Sequence, residues 1–208
     1  MKRKVIYILF SILFLQSCQN KEKSQQESNS FDKVDSGKKS DLSNGSNEQI
    51  TLVKNFMKWY IKNMDMLGKF DVIGGGPMDA KENEEPENYY VDFKEAEKYI
   101  SELKKSGFLT DNILKNEKKS FLEADKYYKE NPENDGPPYG FDYDHFFLTQ
   151  EAFEEDLLNI DKSKYAINQK DDFNSEVTFV LPISGGYKYS LKKIGIKWFI
   201  EKIESVQY

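Results

Sequence analysis

EVTFVLPISGGYKYSLKKIGIKWFIEKI, residues 176–203, is the stretch that decides the fold. Val177, Phe179 and Leu181 share one face of a largely alternating run, and so do Tyr187, Tyr189 and Leu191, then Ile196, Trp198 and Ile200. A period of two, rich in β-branched and aromatic residues, is the signature of strands with one buried face. Ser184-Gly185-Gly186 and Gly195 supply the turns between them. With the similar run Lys164 to Gln169, the spacing predicts four strands: 164–169, Glu176 to Leu181, Tyr187 to Lys193 and Ile196 to Ile203. They form an antiparallel meander, and something must cover its apolar face.

The cover lies upstream, where the period changes to three and four. Leu52 and Val53, Phe56 and Met57, Tyr60 and Ile61, Met64 and Leu67 mark an amphipathic helix that begins at a Ser46 cap and stops at Gly68, with Trp59 beside the stripe as extra packing area. Phe93 to Ser106 is a second helix, stopped by Gly107. A third is capped by Thr110 and runs to about Glu130 on Ile113, Leu114, Phe121, Leu122, Ala124 and Tyr128. A short helix is expected over Thr149 to Leu158. Gly74-Gly75-Gly76-Pro77 lacks the Gly-Lys-Ser/Thr of a phosphate cradle and reads as loop. Asn131 to Gly140 is a loop whose Asn131, Glu133, Asp135 and Gly136 partly match an EF-hand, but Pro137-Pro138 and Asp142 at the twelfth place break the pattern. The expected fold is α+β: N-terminal helices packed on a curled C-terminal antiparallel four-stranded sheet.

The N-terminus carries a different kind of information. Met1-Lys2-Arg3-Lys4 is a basic opening, Val5 to Leu15 is apolar, and Ser17 directly precedes Cys18. Eleven apolar residues are too few to span a bilayer core, which takes about 20. The segment resembles the bacterial lipoprotein signal, which implies cleavage before Cys18 and acylation of that cysteine, palmitate included. Residues 1–17 are then signal peptide, 18–46 the lipidated cysteine with a tether of Lys, Glu, Ser, Gln, Asn, Asp and Gly, and 47–208 a single α+β domain. A coil from Gln19 to Ser46 has a reach of roughly 30 Å. The run Gln19-Asn20-Lys21-Glu22-Lys23 is similar to signals that export lipoproteins of the Bacteroidetes type to the outer face of the outer membrane. These resemblances place the protein in the cell envelope, lipid-anchored at the outer membrane, periplasmic or surface-exposed.

Composition narrows the chemistry. The chain has 30 basic and 36 acidic residues, and loss of Lys2, Arg3 and Lys4 takes the net charge from −6 to −9. Arg3 is the only arginine, so the processed protein lacks the planar fork that reads guanine or clamps phosphate, and nucleic acid is not an expected partner. Cys18 is the only cysteine and His145 the only histidine, which removes disulfides, thiolate chemistry and multi-histidine metal sites. No metal and no cofactor are called for.

Phe56, Trp59-Tyr60, the Asp142-x-Asp144 pair before Phe146, Gln150-Glu151 and the closing strand with Trp198 together resemble a domain of unknown function found in exported bacterial proteins. Its pattern is Asp-x-Asp-Pro-Phe followed by Gln-Asp; here His145 replaces the proline and Glu151 the aspartate. The resemblance implies a cystatin- or nuclear-transport-factor-like cone over Glu48 to Ile203, and marks Asp142, Asp144, His145, Phe146 and Gln150 as the possible site.

Asp142, Asp144 and His145 are the only compact set with acid–base potential. In an extended strand the two aspartates would share a face and His145 would turn away. The plainer expectation is that the aspartates cap turns and hydrogen-bond loop amides while His145 is exposed. Tyr89, Tyr90, Tyr127, Tyr128, Tyr139 and Tyr143 are groove-lining candidates for a peptide or sugar, or simply packing. The leading functional reading is a non-enzymatic binding or accessory module holding a protein, peptide or small ligand between helices and sheet. The alternatives are an immunity- or inhibitor-type protein whose acidic patch, over Glu82 to Glu87 or Glu151 to Asp156, fills a basic cleft of a toxin or hydrolase, and a hydrolase built on Asp142, Asp144 and His145.

Overall fold

The two predicted periodicities, three-to-four and then two, appear as three helices followed by a four-stranded antiparallel sheet in a computed structural model that describes residues 48–80, 83–151 and 153–207. The Cys18 signal, the tether and the Ser46 cap lie outside those residues, as does Glu82. Helix α1 is Glu48–Leu67, α2 is Phe93–Lys105 and α3 is Asp111–Glu130. Thr110 caps α3 as expected, its Oγ1 accepting from the Ile113 amide, while Asp92 caps α2 by accepting from the amides of Lys94 and Glu95.

Two short strands precede the main sheet: β1, Ile73–Gly74, pairs antiparallel with β2, Tyr90–Val91. The glycine run is therefore more than loop. A side chain at Gly74 would meet the Tyr90 ring, and one at Gly76, where φ is +72°, would meet the Tyr89 ring. Glycine lets both tyrosines lie flat on this turn.

The sheet order is β3 (Tyr165–Gln169), β4 (Asn174–Leu181), β5 (Gly185–Ile194) and β6 (Lys197–Val206). The strand ends differ from their sequence estimates by up to three residues, the largest being β6, which runs to Val206 rather than Ile203, because ladder pairing, not side-chain pattern, sets strand ends. Val177, Phe179, Leu181, Tyr187, Tyr189, Leu191 and Ile200 are all buried on one face, against Val53, Phe56, Met57, Tyr60 and Leu67 of α1. Ile196 departs from expectation: it sits in the two-residue turn after Gly195 and is 86% exposed. A second apolar cluster joins α2 and α3 to β2 through Ala96, Phe121, Ala124, Tyr128 and Val91.

The segment 141–150 is a chain of turns rather than a strand, and the helix expected over Thr149 to Leu158 is a single 3-10 helix, Glu154–Leu158. Its Asp156 is fully buried and accepts from the Ile183 amide, the Ser184 amide and the Ser184 hydroxyl, which anchors the β4–β5 turn. That removes Asp156 from any acidic surface patch.

Candidate functional site

The residues marked by the sequence lie on the turns after α3 and are held in different ways. Asp144 Oδ1 accepts from the amides of Phe146 and Phe147 at 2.8 and 2.6 Å, and Oδ2 accepts from the Tyr60 hydroxyl of α1 at 2.7 Å. Burial raises the Asp144 pKa, and these hydrogen bonds work against that rise. The carboxylate thus closes a turn and ties it to α1. Phe146 is buried in the main core, its ring 4.9 Å from that of Tyr60. Asp142 and Gln150 are exposed and bond one another, Gln150 Nε2 donating to Asp142 Oδ2 at 2.8 Å. The expectation that Asp142 would bond loop amides is corrected by that side-chain pairing.

His145 is where the structure departs most from the sequence. The ring is not exposed: it lies between Phe141 and Tyr143, with Nδ1 2.9 Å from Glu117 Oε1 and Nε2 2.7 Å from the Gly140 carbonyl. A carbonyl oxygen and a carboxylate both accept, so both ring nitrogens donate and the ring is an imidazolium. Burial alone would disfavour that charge, but the Glu117 carboxylate, the Gly140 carbonyl and the charge of Asp144 outweigh it and raise the pKa to about 9. Such a ring has no lone pair with which to abstract a proton. Asp142, Asp144 and His145 come close along the chain, yet each is committed to a separate partner and the three do not converge into an acid–base set.

Glu117 is the residue that sequence reasoning missed. It sits four residues after Ile113 and four before Phe121, so it interrupts the apolar stripe of α3 with a charge. A carboxylate in such a stripe needs a cation, and His145 is the partner. Burial drives the hydroxyls of Tyr60 on α1 and Tyr99 on α2 far above their ordinary pKa. The Asp144–Tyr60 bond and the His145–Glu117 pair, held by neighbouring turn residues, form a small polar network that ties the turns to α1 and α3.

Two hollows open on either side of this network. The larger, about 390 Å³, lies between α3 and β6, with Asn116 and Ser120 on one wall, Glu201 and Ile203 on the other, and Tyr139 and Tyr143 at its edge. The smaller, about 260 Å³, is bounded by Met64, Phe70 and Val72 and shares Glu117, Tyr143 and His145 with the first. Of the six candidate tyrosines, Tyr89 and Tyr128 pack internally, while Tyr139 and Tyr143 keep 48% and 43% of their surface and line the larger hollow. Tyr139 is stacked on Tyr127 at 3.9 Å, which holds it in place.

Among the described residues, no group of three or more His, Cys, Asp or Glu side chains is placed to hold a metal ion, and no helix is long and apolar enough to cross a membrane. No protein-family model matches the chain, and neither does any curated protein or solved structure.

Proposed function

We propose that this protein is a lipid-anchored module of the bacterial cell envelope that binds a partner in the cleft between α3 and β6 and performs no chemistry on it. The observation that carries this reading is the cleft itself. It is open, it presents two held but half-exposed tyrosines beside amide and hydroxyl groups, and the imidazole in its wall is committed to an internal ion pair. Aromatic faces with a few placed polar groups suit recognition, since they add contact area at little entropic cost.

A photoreactive phenylalanine analogue at Tyr143 should give a defined crosslinked species in intact cells. Ser120→Trp, which fills the cleft from the α3 side without touching the core, should abolish it. Crosslinks of equal yield from an analogue at Lys192, on the outer face of the sheet, would overturn the reading.

The anchor rests on Leu15-Gln16-Ser17-Cys18, and placement at the outer membrane rests on the charged run that follows. Acyl chains contribute about 0.8 kcal/mol per buried methylene, so two or more hold the protein firmly. Cys18→Ser should therefore move it from the membrane pellet to the soluble fraction; continued pelleting would sink the lipoprotein assignment.

A further inference from the structure

Strand β6 is longer than the chain that covers its outer edge. In an antiparallel pair, successive residues turn their backbone groups alternately toward the partner and away from it. Ile200 turns away from β5: its amide donates to the Phe108 carbonyl at 2.8 Å, and its carbonyl accepts from the Thr110 amide at 3.0 Å. The three residues Phe108 to Thr110 thus add to β6 as a short parallel strand before the chain leaves into α3. Beyond Ile200 the register shifts by one residue at Glu201, and Ser190, Lys188 and Gly186 of β5 face Lys202, Glu204 and Val206. Ile203 and Ser205 therefore turn their amides and carbonyls outward, and they take no backbone partner among the described residues.

Unpaired edges of this kind are usually blunted by proline or covered. Here the edge opens beside the cleft, whose lining includes Glu201 and the half-buried side chain of Ile203. Two outward residues separated by one inward residue offer a repeat of donors and acceptors that matches an extended backbone. Of the carboxylates lining the cleft, Glu117 is paired with His145 and Glu123 with Lys119, and the lining Lys202 is paired with Glu204, which leaves Glu201 as the cleft charge with no ion pair among the described residues, so the local field favours a basic occupant.

We propose that the cleft's partner is a basic, extended peptide segment that adds as a strand to β6 at Ile203 and Ser205. The proposal rests on the cleft being the binding site. The probe is the acetylated, amidated heptapeptide Lys-Val-Lys-Val-Lys-Val-Lys, titrated into the full-length protein by fluorescence anisotropy. Two further versions carry N-methyl groups, one on the valine amides and one on the lysine amides. Saturable binding is expected, with a loss of about ten-fold for one methylated register and less than about two-fold for the other, because only alternate amides face β6.

Ser205→Pro deletes an outward amide that has no part in the β5 ladder. It should weaken the unmethylated peptide about ten-fold while leaving the melting temperature unchanged. Failure to saturate by about 1 mM, the weak end of specific recognition, overturns strand addition. So do equal losses in both registers, or indifference to Ser205→Pro. Binding that ignores methylation but is lost in Ser120→Trp leaves the cleft standing and removes only the strand; binding that ignores Ser120→Trp strikes the cleft itself.

Discussion

Phe56→Ala is expected to cost about 4 kcal/mol of folding stability, which for a domain of this size lowers the melting temperature by roughly 10 °C. Phe56 is fully buried where α1 crosses the sheet. Its ring lies 5.5 Å from that of Phe146, 6.0 Å from Tyr60 and Phe108, and 6.4 Å from Trp59 and Tyr189. It therefore touches α1, the segment before α3, the turns after α3 and strand β5. Rigid rings collapse poorly into the space a lost ring leaves, so the cavity cost adds to the lost burial. Phe56→Leu, which refills much of that volume, should cost about half as much. Thermal unfolding of the two variants checks this, and a fall of less than about 3 °C for the alanine variant would show that Phe56 is not the hub.

His145→Ala is expected to cost about 3 kcal/mol at pH 6, because it leaves the Glu117 carboxylate largely buried without its cation. The pH dependence separates this role from packing. The folded pKa of about 9 lies above the ordinary value of 6.5, so the folded state binds the proton more tightly than the unfolded chain. The resulting stability is fully present below about pH 6.5, declines as the pH rises, and is gone above about pH 9. A shift of that size corresponds to roughly 3 kcal/mol. Urea unfolding of the parent protein and the variant at pH 6, 8 and 10 should show the gap between them shrinking toward the packing contribution of the ring. A gap that does not change with pH would mean that the ring is not an imidazolium in the folded protein.

These two residues illustrate what local pattern carries. Phe56 is recognisable as core because it belongs to a stripe at helical spacing, and its burial follows from that stripe alone. His145 belongs to no periodic element. Its neighbours Asp142, Asp144 and Phe146 suggest a site by proximity in sequence, and the exposure expected for the ring fails because Glu117, which fixes it, is 28 residues away. The signal at Glu117 was present, a charge inside an apolar stripe, but it identified a need for a cation and not which cation. Asp156 behaves alike: it stands three residues after Phe153 and four before Ile160, both buried, on the inward side of a 3-10 helix. Its partners, the Ile183 and Ser184 amides, belong to a hairpin turn that only the folded sheet brings to it.

By itself the sequence determined the α+β class, the order of three helices and four strands, the cap at Thr110 and the stop at Gly107, and the face on which Val177 to Leu191, Trp198 and Ile200 alternate into the core, Ile196 excepted. Side-chain period and turn chemistry are local properties, set by the geometry of one helix turn or one pleat. Only the tertiary structure decided the small sheet at Gly74 and Tyr90, the imidazolium bridge from His145 to Glu117, the cleft between α3 and β6, and the uncovered edge at Ile203 and Ser205. Each of these depends on where distant backbones meet, and a hydrogen bond or ion pair between residues far apart in the chain leaves no period to read.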